Sequence, residues 1–159
     1  MKKVLGTLLL FTSIIFSGHA QKRIGGMAGY ATGFNDINIG ANAEFFIFDK
    51  VSVAPDMLFY FPVTRGDVHK NWIEFNLNGH YYFYTHNIYE FYGIGGMNYT
   101  ITRYKYNLDN SRHSKELLNI NVGGGVNFKV AKNLIPFSEI RFVGFADNII
   151  VVGGLKFDL

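Results

Sequence analysis

Every second residue from Leu118 to Val130 is apolar or glycine: Leu118, Ile120, Val122, Gly124, Val126, Phe128 and Val130. The residues between them, Asn119, Asn121, Gly123, Gly125, Asn127 and Lys129, are polar or glycine. Side chains alternate across a strand, so this stretch predicts one apolar wall and one polar wall. It runs beyond the roughly five or six residues of an ordinary soluble strand, whose apolar face packs on a second layer. Strands of about ten residues with an apolar outer and a polar inner face suit a transmembrane barrel, whose apolar side meets lipid.

The N-terminus fits export. Lys2 and Lys3 precede an apolar run from Val4 to Phe16, and Ser17-Gly18-His19-Ala20 offers small residues at the −3 and −1 positions of a cleavage after Ala20. The expected division is a signal peptide at 1–20 and one barrel domain at 21–159. The apolar run is shorter than the ~20 residues of a spanning helix, and no other segment is long and apolar enough. Insertion is therefore expected through strands.

Composition agrees with that class. The 159 residues suffice for one domain. Charged residues make up 17%, below the roughly 25% of soluble proteins. Aromatic residues also make up 17%, and 10 Tyr and 16 Phe account for most of them. With no cysteine, disulfides and thiolate metal sites are excluded. Removing Lys2 and Lys3 leaves 13 Lys and Arg against 12 Asp and Glu, which is no nucleic-acid signature.

Strand-like segments then follow at 23–33, 37–48, 51–61, 71–84, 88–103, 116–130, 134–145 and 148–159, eight in all, an even number as bacterial barrels require. Short connections at Asp49-Lys50, His86-Asn87 and Ala131-Lys132-Asn133 alternate with long polar ones at 63–70 and 104–115. With a periplasmic N-terminus, the long set faces outward. On the fourth segment Ile73, Phe75, Leu77, Tyr81 and Phe83 are assigned to lipid, and Glu74, Asn76, Asn78 and His80 to the lumen. The second segment opposes Ile37, Ile39, Phe45 and Ile47 to Asn38, Asn42 and Glu44. The glycine-rich first segment leaves its face open.

The segment from Asn121 to Phe142, with its Gly-rich strand, short Asn-containing turn and Phe137-Ser138-Glu139-Ile140-Arg141-Phe142, resembles the penultimate hairpin of the OmpX/OmpA-like outer-membrane β-barrel families. Gly153 to Leu159 resembles their terminal strand, although Leu159 stands where Phe is usual. The likeness is clearest over about the last 45 residues. It implies an up-and-down, eight-stranded antiparallel transmembrane barrel in an outer membrane. Its partners would be membrane lipid, lipopolysaccharide and the barrel assembly machinery that reads the last strand. These families are functionally heterogeneous, so a structural or surface-interaction role is expected, with no cofactor.

Eight strands enclose a lumen just wide enough to be filled by side chains. The expected lumen charges are Glu44, Asp56, Glu74, Glu90, Lys129, Glu139, Arg141 and Lys156, with Asp158 also inward. Buried charges must be paired. Spacing sets Glu139 near Lys156, Glu90 level with Lys129, and Glu44 opposite Asp56. Arg103, Lys105, Arg112 and Lys115, interleaved with Tyr104 and Tyr106, are candidate contacts to lipopolysaccharide phosphates. Arg65-Gly66-Asp67 resembles an integrin-binding tripeptide and is also ordinary turn chemistry. The competing class is a lipid-modifying enzyme. Lipid A deacylase barrels carry His-x-Ser-Asn shortly before the last strand, where this chain has Gly144-Phe145-Ala146-Asp147-Asn148. The nucleophile and its base are missing there. A secreted lipocalin-like barrel would need the opposite arrangement of faces. The histidines show no metal-ligand spacing.

Overall fold

The computed structural model describes residues 21–33, 36–65, 68–106, 112–144 and 148–159. The predicted signal peptide lies outside them. The strands are β1 (Lys22–Ala31), β2 (Asp36–Phe48), β3 (Val51–Tyr60), β4 (Val63–Arg65), β5 (Val68–Thr85), β6 (Tyr89–Tyr106), β7 (Arg112–Phe128), β8 (Leu134–Val143) and β9 (Asn148–Asp158). All pairings are antiparallel between chain neighbours, β1 pairs with β9, and β3 reaches past β4 to pair with β5. Eight strands therefore close a barrel without an edge. β4 is a three-residue addition at one rim. Pro62 has no amide hydrogen for the ladder, and the strand that stops at Tyr60 resumes only at Val63.

The connections after β2, β5 and β7 are short and lie at the same end as Gln21 and Leu159; the other end is the loop end. Two register shifts, at Phe46/Phe48 and Tyr82/Tyr84, fall at the short-turn end. The wall is uneven in height. β5 and β6 have 18 residues and β7 has 17, whereas β1, β3 and β8 have 10. At about 3.3 Å per residue, the long strands project well beyond the others at the loop end.

That projection corrects one expectation. The stretch 104–115, read as a loop, is largely strand: Lys105 pairs with Arg112, Tyr104 with His113, and Thr102 with Lys115. The β-branched and aromatic run Thr100-Ile101-Thr102, Tyr104, Tyr106 favours continued pairing over a loop. Likewise Val63 to Arg65 pairs with Val68 to Lys70.

Outside the barrel, Leu77, Met97, Leu118, Ile120 and Val122 are 53–67% exposed, a degree of apolar exposure that suits lipid. Tyr81, Phe83, Tyr84 and Phe91 are exposed near the short-turn end, where an interfacial aromatic girdle belongs. Among the described residues no helix is long and apolar enough to cross a membrane.

The lumen has two sectors. Asn76, Asn78, Asn98, Thr100 and Asn121 from β5, β6 and β7 form a polar sector. Met27, Ala31, Leu58, Val143, Ile150 and Val152 form an apolar one, which Tyr60, Trp72 and Phe137 extend. Glycines on the inner face leave room for these side chains. A Cβ on Gly125 would come within 2.5 Å of the Tyr92 ring and 2.8 Å of Glu139 Cγ.

Candidate functional site

The lumen side chains converge because inward positions on all eight strands point into a narrow tube. Nearest the short-turn end, Arg23 Nε donates to Asp158 Oδ1 at 2.9 Å and its Nη1 to Glu90 Oε2 at 3.1 Å. Lys129, just beyond β7, reaches Glu90 Oε1 at 2.7 Å. The Arg23 guanidinium also sits 4.9 Å from the centroid of the Phe46 ring, a geometry that stabilises a cation.

Above this lies a hub on Glu44. Lys156 Nζ is 3.1 Å from Glu44 Oε2 and 3.7 Å from Glu139 Oε1. Ser52 Oγ donates to Glu44 Oε1 at 2.6 Å, the Tyr82 hydroxyl donates to the same oxygen, and His80 Nδ1 lies 3.1 Å from it. Next, Arg141 bridges two acids: its Nη1 donates to Asp56 Oδ2 at 2.9 Å and its Nε to Glu139 Oε2 at 2.9 Å. Tyr92 donates to the other Glu139 oxygen at 2.7 Å. Asn76 and Asn78 donate to Asp56 at 2.8 and 3.0 Å, and Asn121 donates to the amide oxygens of both. Such pairing offsets the several kcal/mol that each isolated buried charge would cost.

Glu74 is different. It accepts from Asn98 Nδ2 at 3.2 Å, yet among the described residues no cation pairs with it.

Of the eight proposed lumen charges, the structure brings seven into these clusters, and Glu74 stands apart above them. Three details of the expected pairing are corrected. Glu44 does not oppose Asp56: Asp56 pairs with Asn42, while Glu44 pairs with Arg23 across β1. Glu139 is opposite Val152, not Lys156, whose partner in register is Ile135. The long lysine side chain reaches Glu139 through the lumen. Glu90 pairs in register with Asn127, so Lys129 reaches it from two residues further on.

Arg23 was not among the expected residues. It is 1% exposed and joins Glu90 and Asp158, with Glu44 3.9 Å away. The glycines of β1 blur its alternation, but Ile24 and Tyr30 on one face and Arg23, Met27 and Ala31 on the other would have supplied the signal.

At the loop end, Arg103 and Lys115 are exposed, Arg103 in register with Ser114 and Lys115 with Thr102. Lys105 and Arg112 pair in the backbone ladder of the projecting β6–β7 hairpin. Lys70 lies over the Trp72 ring at 4.4 Å and the Tyr104 ring at 5.8 Å. Arg65 ends β4, while Gly66 and Asp67 lie outside the described residues, as do Phe145 to Asp147. No group of His, Asp and Glu that could hold a metal occurs among the described residues.

No protein-family model and no curated protein matches the sequence. Solved structures do match in fold. The N-terminal β-barrel domain of Pseudomonas aeruginosa OprF superposes with a TM-score of 0.71 at 18% identity, over 87% of this chain and 97% of that one. Neisserial surface protein A gives 0.67 at 12% identity, over 88% and 97%. Ail, the attachment invasion locus protein of Yersinia pestis, solved with the heparin analogue sucrose octasulfate, gives 0.64 at 10% identity, over 89% and 100%. With its closed wall, apolar belt and filled lumen, the chain has the OmpX/OmpA-like fold of the small eight-stranded outer-membrane β-barrels.

Proposed function

We propose that the protein is exported with removal of residues 1–20, is inserted by the barrel assembly machinery, and resides in an outer membrane. There it acts as a surface-interaction and envelope-stabilising protein. The carrying observation is the filled lumen. Trp72, Arg23, Arg141, Tyr60, Tyr92, Lys156 and Glu139 are each under 2% exposed inside the tube. A wall so plugged is better suited to presenting its rims than to passing solutes. The short turns then face the periplasm and the β6–β7 projection faces out.

The outward hairpin carries Arg103, Lys105, Arg112 and Lys115, with Tyr104 and Tyr106. Cations at this level suit phosphate or sulfate groups, and aromatic rings suit the headgroup region. Lipopolysaccharide phosphates are the nearest such anions, and a sulfated saccharide is the external equivalent. The Ail structure, with its bound heparin analogue, shows this fold in the company of a polyanion. Arg65-Gly66-Asp67 adds no independent support.

A catalytic reading finds less. Ser52 and His80 both face the same oxygen of Glu44, so the imidazole is not placed as a base for the hydroxyl. All three residues are at most 3% exposed.

The test is binding of sucrose octasulfate and of lipopolysaccharide to the barrel in nanodiscs. Replacing Arg103 and Lys115 together by Ala should weaken both, and salt should weaken wild-type binding as screening predicts. Salt-independent binding, or an unaffected double variant, would remove the rim from the proposal. Lipid A acylation that changes with the protein's presence would favour the enzyme.

A further inference from the structure

Beyond a role for the rim, we infer that the loop-end mouth of the barrel is a binding site for a small organic ammonium compound carrying an acid group. A cavity of about 210 Å³ opens there, lined by Glu74, Thr100, Thr102, Asn119, Asn148 and Lys115 among others. At ~30 Å³ per water molecule this is space for about seven waters. It is too large for one desolvated ion and right for a small organic molecule.

Three independent features give the cavity its chemistry. Glu74 lines it, is 1% exposed, and has no cation partner among the described residues. Every other acid in the lumen clusters has one, and Arg141 is already engaged by Asp56 and Glu139. A buried carboxylate with amide and hydroxyl neighbours lacks the positive charge that would best stabilise it. Second, Asn148 is 7% exposed; its Oδ1 accepts from the Gly33 amide at 2.9 Å, while its Nδ2 has no partner among the described residues. That leaves a buried donor, on a residue that lines the cavity, without an acceptor among the described residues. Third, Lys115 lines the same cavity at its mouth, exposed and with no ion pair among the described residues.

Register orders these groups. Glu74 is level with Thr100, and Lys115 with Thr102, two residues nearer the rim. At about 3.4 Å per residue this sets their backbone positions roughly 7 Å apart along the strands. An ammonium group entering first meets Glu74, with Thr100 nearby to accept a hydrogen bond. The acid group of the same molecule then lies toward Lys115 and the Asn148 amide. The ligand class is a short ω-amino acid or a comparable zwitterion.

The experiment titrates γ-aminobutyrate, butylamine and butyrate separately into the intact protein in phospholipid nanodiscs, by calorimetry. Wild-type protein should bind γ-aminobutyrate best, butylamine less well and butyrate not measurably. Glu74→Gln should weaken both amines by about tenfold or more, since one charge-assisted hydrogen bond is lost. Its heat-dependent mobility shift on gels reports whether it folds. Lys115→Gln, at an exposed position, should weaken γ-aminobutyrate and leave butylamine unchanged. It decides the matter if Glu74→Gln does not fold. No heat of binding for either amine, equal binding of butyrate, or full affinity in both variants would overturn the site.

Discussion

Lys156 on β9 and Glu44 on β2 lie 112 residues apart in sequence, yet the ammonium nitrogen sits 3.1 Å from the carboxylate inside the lumen. The lysine also lies over the rings of Phe137 and Tyr92, at 4.5 and 5.1 Å. One side chain thus ties the last strand to the second across the tube.

Breaking this pair on one side should be costly. Lys156→Met leaves Glu44 buried with less compensation, and a loss of about 3–5 kcal/mol is expected. The double variant Glu44→Gln/Lys156→Met should lose less than the two single changes added together. Urea unfolding in lipid vesicles measures both. Strict additivity would mean that the ion pair contributes no coupling.

Two glycines in adjacent strands should respond in opposite ways. Gly125→Val drives a side chain into Tyr92 and Glu139, whereas Gly93 has nothing within 4 Å of an added Cβ and faces outward. Overpacking at position 125 should cost about 1–3 kcal/mol or prevent folding. Gly93→Val should be neutral or slightly stabilising, because a β-branched residue suits a lipid-facing strand. Folding yield, scored by the heat-dependent gel shift, separates them.

The amide ladder offers a third check. Asn121 Nδ2 donates to Asn76 Oδ1 at 2.8 Å and to Asn78 Oδ1 at 3.0 Å. Asn121→Leu takes its donor from the buried Asn78 Oδ1 and leaves Asn76 Oδ1 with Asn98 alone, for a loss of about 1–3 kcal/mol. Equilibrium unfolding of that variant should show the loss without a change in wall topology.

Conductance follows from the same filling. Planar bilayers containing the wild-type protein should show no stepwise ion current. Tyr60 and Trp72, whose rings stack with centroids 4.9 Å apart, block the loop-end half of the lumen. Replacing both by Ala should open that half only, since Arg23, Glu44 and Lys156 still fill the other. A steady channel in the double variant would show that the lower plug is not tight.

Processing can be read by mass. The mature protein should begin at Gln21, whose side-chain amide donates to Asp158 at 2.9 Å. An intact mass that retains residues 1–20 would contradict cleavage after Ala20.

Much of this molecule is written locally. Which face of β2, β5, β6 and β7 meets lipid follows from alternation, because a strand has a period of two and a one-residue slip would invert it. Ile73, Phe75 and Leu77 against Glu74, Asn76 and Asn78 is the plainest instance. The run Ile149-Ile150-Val151-Val152 was not legible in this way, because both of its faces are apolar. Only the fold turns Ile150 and Val152 inward to the apolar sector of the lumen. Local pattern also carried the lumen membership of Glu44, Asp56 and Arg141. It could not carry their partners, which depend on strand tilt and stagger around a closed tube. Closure between β1 and β9 brings Arg23 to Asp158, and the tube's narrowness brings Lys156 to Glu44. It also leaves Glu74 without a cation partner among the described residues. Alternation by itself determined what faces in; the three-dimensional closure decided what each inward group meets, because those contacts cross the lumen and follow no sequence period.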